Sequence, residues 1–331
     1  MTAAGVLGAA LQVAMVVVGA PLLIGVMRQV RARLEGRAGA GVGQPWRDLR
    51  KLAGKEPITP HGTSEVFRAA PVLLLATTLV VAAVVPFLTT DSPLDQVADL
   101  VAVVALLTLG TVALALAGLD TGTAFGGMGA SREVTIIALV EPTLLVAIFA
   151  LSVRVGSTNL SAIVTSTLRD PGRVISPVSL LAAVALLVAI VAETGRLPVD
   201  NPATHLELTM VHEAMVLEYA GPELAMVELA SAMRLTVFLG LLATLFAPWG
   251  IASGAASGAA SGAASGAAFG AGLLALVPAV LAFAGKVLLL GVGLAAGEVF
   301  LAKLRLFRVP ELLAGSFVLA LLAVAASFFL T

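Results

Sequence analysis

Residues 3–27 read AAGVLGAALQVAMVVVGAPLLIGVM, without one charged position. As a helix rising 1.5 Å per residue, such a run outreaches the roughly 30 Å hydrocarbon core of a bilayer. The N-terminus carries no basic n-region and no credible cleavage site, so the stretch reads as a first membrane span rather than a signal peptide. Comparable runs recur near 66–89, 98–118, 132–152, 174–195, 222–248, 271–298 and 311–330. Together they predict an all-α, polytopic transmembrane protein of about eight spans, a single domain over 1–331. Ser92-Pro93 reads as a cap and first-turn proline opening the third span.

Composition agrees. The chain is 59% hydrophobic and 12% charged, against about 45–50% and about 25% in soluble domains. A net charge of −1 offers nucleic acid no basic footprint. There is no cysteine, so this chain cannot hold iron–sulfur clusters or thiolate zinc, and three histidines argue against haem.

Lys and Arg set the orientation. Arg28, Arg31, Arg33, Arg37, Arg47, Arg50, Lys51 and Lys55 follow the first span, and Arg132, Arg196, Lys303, Arg305 and Arg308 fall in alternate connections. The other side has only Arg154, Arg169 and Arg173. Loops 28–65, 119–131, 196–221 and 299–310 are therefore expected in the cytoplasm and both termini outside. Within 44–56, Trp46, Leu49, Leu52 and Ala53 share a face opposite the cations, the pattern of a short basic amphipathic helix at the headgroups. Its bland role is a positive-inside anchor; the alternative is partner docking. The chargeless SGAA units of 253–268 predict a flexible external linker over 251–270.

A charge at the bilayer centre costs about 2.5–3.5 kcal/mol on insertion scales, so those present should face water or a partner. They are Glu133 and Glu141, Glu193, Glu228 and Arg234, and Lys286 and Glu298. Glu133 and Glu141 can line one cavity at different depths, and Glu228 with Arg234 can neutralise each other. Ion pairs that only fix helix packing are the competing explanation. The densest polar segment is 193–221. Asn201-Pro202 and Gly221-Pro222 bracket about 19 residues of expected helix, on which His205, Thr209 and His212 form one stripe and Glu207 and Glu218 share another face. Two tempting motifs fail. His212-Glu213 opens like HExxH, but Val216 stands where the second histidine must be. Gly126-Gly127-Met128-Gly129 is not GxGxxG.

ETGRLPVDNPATHLELTMVHEAMVLEYAGPELAMVELASAMRL (193–235) closely resembles the membrane subunit of formate hydrogenlyase and related energy-converting nickel–iron hydrogenases, a family similar to the quinone-site and proton-channel subunit of respiratory complex I. RLEGRAGAGVGQPWRDLRKLAGKE (33–56), DTGTAFGGMGASRE (120–133), Glu141-Pro142 and AKLRLFRVPELL (302–313) extend the resemblance along the chain. It implies a non-catalytic subunit of a bacterial or archaeal inner membrane that joins antiporter-like membrane subunits to a cytoplasmic arm. Nickel–iron and iron–sulfur centres would lie in hydrogenase large-subunit-like and iron–sulfur partners. It further implies proton (or Na⁺) relay through carboxylates: Glu141, Glu193, Asp200, Glu213 and Glu218 by motif, with Glu133, Glu207, His212, Glu228, Lys286 and Glu298 as further candidates. Arg31, Arg33, Arg37, Arg47, Lys51, Arg196, His205 and Arg305 become docking candidates. Where complex I subunits tend to carry an AFDLPEAE-like stretch, this chain has Pro198 to His205 as PVDNPATH, which favours the hydrogenase branch. A complex I subunit with a quinone chamber is the alternative. A standalone transporter or a purely structural anchor are rivals from other classes.

Overall fold

The computed structural model describes residues 3–90, 92–200, 210–252, 265–301 and 308–329, with side chains assigned outside 3–5 and 265–275. The described residues are helical without a strand. The helices are α1 (Ala3–Leu34), α2 (Gln44–Ala53), α3 (Glu65–Val84), α4 (Leu100–Asp120), α5 (Ala124–Val153) and α6 (Leu160–Arg169). They continue with α7 (Pro177–Glu193), α8 (His212–Val216), α9 (Gly221–Phe246), α10 (Ser265–Phe300) and α11 (Val309–Phe329). Seven are long and apolar enough to cross a membrane. The eighth expected span, α7, has 17 residues, about 25 Å and the lower limit for crossing.

α9 is the hub. In its most apolar window 83% of residues are buried, against 28% for α10 and α11. It packs on α1, α3, α7 and α10, while α5 packs on α4, α7 and α11. The core runs through Leu107, Ile148, Leu186 and Phe238. Uniformly apolar helices give no one-sided stripe, so close approach rests on small residues. A Cβ at Gly126 would overlap the Gly118 carbonyl, and one at Gly129 would sit 2.9 Å from the Val211 oxygen.

Local chemistry moved several boundaries. The Thr123 hydroxyl accepts from Gly126 N at 3.2 Å, capping α5 eight residues before the expected start, so the loop expected over 119–131 shrinks to a tight turn. Ser92-Pro93 does not open a span. Asp99 caps α4 instead, its Oδ1 accepting from Val101 N at 2.8 Å. α3 stops at Val84 because Pro86 follows. Buried Gln12 of α1 satisfies that break: its amide donates to Ala82 O (2.6 Å) and Val85 O (2.7 Å) and accepts from Phe87 N and Leu88 N. The expected helix over 202–220 is also corrected. In its described part, from 210 onward, only His212–Val216 is helical, while 201–209 lie outside the described residues. Gly221-Pro222 opens α9 rather than closing the preceding helix. Gly221 sits at φ +60, where a Cβ would stand 2.7 Å from the Glu56 carbonyl, so the 54–64 loop presses on this turn. α10 already starts at Ser265; residues 253–264 of the SGAA repeat lie outside the described residues.

Candidate functional site

At the end of the bundle where α1 finishes and α2 lies across it, a cavity of about 450 Å³ opens. Its walls come from α1, α2, the first half of α9, the end of α7 with residues 194–200, and α8, with single turns of α3, α4 and α5 closing it. Its lining is rich in charge: Asp48, Glu133, Glu193, Asp200, Glu213 and Glu228 all reach it, with Arg28, Arg31, Arg196 and Arg234. Ile24, Met27, Leu49, Leu52 and Leu235 add apolar lining between them.

The innermost group is Arg234. Six positions separate Glu228 from Arg234, about 120° round a helix, so the expected pairing of these two does not form. Arg234 instead reaches α7, donating to Glu193 Oε1 at 2.5 Å. It also donates to Thr111 Oγ1 at 2.6 Å and to the Leu107 carbonyl at 2.9 Å. Thr111 in turn donates to Glu193 Oε1 at 2.9 Å, and the guanidinium lies 5.8 Å from the Phe238 ring centre. Gly110 makes room, because a Cβ there would stand 3.2 Å from Arg234 Nη1. The pair is almost closed to solvent, with side chains 7% and 6% exposed. An ion pair this deep survives only when its remaining polar valences are filled, and the threonine and the carbonyl fill them.

Glu133 of α5 is buried and reaches the same cavity without a cation in salt-bridge contact among the described residues. Around it, Asp200 accepts from Val211 N at 3.3 Å, and Arg132 donates to Met210 O at 3.0 Å. His212 Nε2 lies 3.4 Å from Ser231 Oγ of α9. Burial pushes the His212 pKa down; the Asp200 carboxylate opposes this and Arg234 adds to it. The folded protein therefore binds fewer protons at His212 than the unfolded chain. The resulting stability loss begins as pH falls through the ordinary value of 6.5 and grows until the folded-state pKa is reached. His212→Gln should remove that acid-side loss, measurable as a flatter dependence of the unfolding midpoint on pH as it falls from about 7 to about 5, through and below a histidine's ordinary value. An unchanged slope would mean that His212 is not held neutral.

A second charged cluster stands at the same end. Glu298 of α10 is fully buried and pairs with Arg31 of α1 and, at 3.5 Å, with Arg196. Burial, followed by repulsion from Arg31 and Arg28, lowers the Arg196 pKa to about 10, so it stays charged at neutral pH. Arg31 and Arg196, expected on the docking surface, thus turn inward and tie three elements together. Arg33, Arg37, Arg47, Arg50 and Lys51 are exposed, with Arg37 paired to Glu35.

The cavity gathers six of the eleven expected relay residues: Glu133, Glu193, Asp200, His212, Glu213 and Glu228. Glu298 sits in its own ion cluster. Glu141, half-buried, stands outside the cavity lining. Glu218 is half-buried and apart from the cavity, and Lys286 lies toward the far end of α9, bonded to the Ala247 carbonyl at 2.5 Å. Glu207, His205 and Arg305 fall outside the described residues. Thr111 and Ser231 are additions to the expected set; each shares its apolar helix with other hydroxyls, Thr108 in α4 and Thr236 and Thr244 in α9, and the sequence does not distinguish a hydroxyl that reaches another helix from one bonded only to its own backbone. Among the described residues no three metal-binding side chains converge.

The sequence profile described as NADH dehydrogenase matches residues 7–329. Formate hydrogenlyase subunit 4 of Escherichia coli is 36% identical over 231 residues, 70% of this chain and 74% of that protein. NADH-quinone oxidoreductase subunit 8 of Rhodothermus marinus is 28% identical over 240 residues, 69% of this chain and 68% of that protein. A chain in the structure of the membrane-bound sulfane sulfur reductase, an archaeal respiratory membrane complex, superposes with a TM-score of 0.76 over 97% of this chain and 98% of its own, at 20% identity. That likeness is one of fold.

Proposed function

Since the chain belongs to the NADH dehydrogenase family, we propose that it is the membrane subunit of an energy-converting hydrogenase or formate hydrogenlyase-like complex, anchoring a cytoplasmic redox arm and relaying protons (or Na⁺) from the acidic cavity into the membrane. The arm would be hydrogenase large-subunit-like and iron–sulfur proteins carrying the nickel–iron and iron–sulfur centres, with antiporter-like subunits beside this chain in a bacterial or archaeal inner membrane. The observation that carries the reading is the cavity itself. Arg28, Arg31, Arg196 and Arg234 line it beside six acids. Yet Arg234 pairs with Glu193 and Arg31 and Arg196 pair with Glu298, so Glu133 faces the space without a cation in salt-bridge contact among the described residues.

Different surroundings give two carboxylates different tasks. Arg234 and Thr111 hold Glu193 as a fixed anion. Glu133 has no such clamp, so it takes up and releases the proton, with Asp200, His212 and Glu213 on the approach. Glu141 lies eight residues further along α5, about 12 Å. That gap exceeds a hydrogen bond several times over, so water must bridge it. The proline after Glu141 frees a backbone carbonyl where such water can bond. A second reading, a quinone chamber as in a complex I subunit, is favoured by the apolar side chains that α1, α2 and α9 contribute to the lining, among them Ile24, Met27, Leu49, Leu52 and Leu235. Quinone retained by the purified complex at one per chain would support it.

The docking role rests on exposed Arg47, Arg50 and Lys51 of α2. Arg31 is unsuitable for this test, because its reversal would strand Glu298. Changing Arg47, Arg50 and Lys51 together to Glu should leave the chain inserted while the redox subunits drop from stoichiometric co-purification to traces. Stoichiometric recovery of those subunits would remove α2 from the docking surface.

A further inference from the structure

Glu298 is a buried carboxylate that stands behind the cavity rather than in it. Its side chain is fully enclosed and forms no part of the lining, and among the described residues only Arg31 and Arg196 reach it. Both arginines do line the cavity. One cation suffices to neutralise one carboxylate, and Arg31, on the closely packed seam of α1 and α10, supplies it. Arg196, at 3.5 Å, is surplus to that balance: two cations against one carboxylate leave the cluster at +1. Holding a second guanidinium, its side chain 14% exposed, on an enclosed carboxylate costs desolvation that charge balance does not require. The backbone that Arg196 carries with it accounts for the contact. Given the relay proposed for the cavity, we propose that Glu298 is its positioning residue: through Arg196 it holds the 194–200 segment, and with it Glu193 and Asp200, at the places from which the ion is passed on.

Arg196 is the pivot of that segment. Its N–H donates to the Val191 carbonyl of α7 at 2.9 Å, and its own carbonyl accepts from Val199 N at 2.9 Å and Asp200 N at 3.1 Å. Gly195, at φ +58, permits the reversal. Glu193 stands just before the pivot and Asp200 just after it, so two of the cavity's carboxylates leave a single turn. Asp200 hands the constraint on by accepting from Val211 N at 3.3 Å, the residue that precedes His212. α7 and α10 do not pack closely on each other, so the tie between this turn and α10 is made by the ion pair. Without it the turn keeps its internal hydrogen bonds and loses its fixed reference to α10. Misplacing a reacting group by about 1 Å costs up to about 10²-fold in rate.

The test measures ion uptake per redox turnover by the assembled complex in sealed vesicles. Arg196→Gln breaks the tie while Arg31 still neutralises Glu298, so the chain should assemble and turn over. Its uptake per turnover should fall about tenfold, within the range that a misplacement of about 1 Å produces. Arg196→Lys keeps a cation that can reach Glu298 and should recover much of that loss. Glu298→Gln combined with Arg31→Met removes one charge of each sign, so the cluster stays at +1 with Arg196 untethered. This double variant should lose coupling as Arg196→Gln does. Parent-like uptake per turnover in it would mean that Arg196 acts by charge alone, and overturns the proposal. So does a fall of turnover and subunit recovery in step with uptake in Arg196→Gln, the mark of a merely structural role. If the double variant does not assemble, equal coupling in Arg196→Gln and Arg196→Lys overturns the proposal instead. A parent complex that turns over without ion uptake would refute the relay itself, and the positioning role with it.

Discussion

Replacing Arg234 with methionine should destabilise the protein by about 3–5 kcal/mol, the usual cost of stranding one partner of a buried ion pair. The cost arises because Glu193, 6% exposed, would lose its counter-ion and its shortest hydrogen bond together. Glu193→Gln strands the guanidinium instead, although Leu107 O and Thr111 Oγ1 still accept from it, so its cost should be smaller. The double variant removes both charges and should recover much of the loss, leaving a coupling energy of about 1–3 kcal/mol. Unfolding in a mild detergent, followed by the far-UV helix signal, measures all four species. Strict additivity would mean that Arg234 and Glu193 do not act as a pair.

The fold was legible because its signal is physical and long-range. Seven helices long and apolar enough to cross a membrane lie where uninterrupted apolar runs stand, and no packing detail was needed to find them. Caps were less legible. Ser92-Pro93 and Asp99 both satisfy the rules for opening a helix, and only the hydrogen bond from Val101 N shows that Asp99 does so. The extension of α5 across Gly126 to Gly129 was hidden by glycine's low helix propensity; those glycines instead permit contact with Gly118, Val211 and Ala214. In the site, the acids could be named because ionisable residues in apolar helices are conspicuous, but their partners could not. Arg234 joins Glu193, 41 positions away, and Arg31 joins Glu298 across the length of the chain. Nearness within one span suggested Glu228 for Arg234, although six positions leave them about 120° apart. The sequence offers no comparable cue for a partner on another helix, so Arg31 was left outside.

The second large effect concerns Glu133. Glu133→Gln keeps the shape of a side chain that fills part of the cavity wall, and a neutral amide is cheaper to bury than a carboxylate. The variant should insert and assemble as the parent does. If Glu133 carries the proton, losing its titration should slow ion translocation by about 10²-fold, the scale of removing one positioned proton-transfer group. Glu133→Asp keeps a titratable group and should restore part of the rate. The direct measurement is ion uptake per redox turnover by the assembled complex in sealed vesicles. The account predicts that uptake collapses in Glu133→Gln while turnover continues uncoupled or slows. Undiminished uptake at undiminished turnover would contradict it and leave the acidic cavity a structural feature.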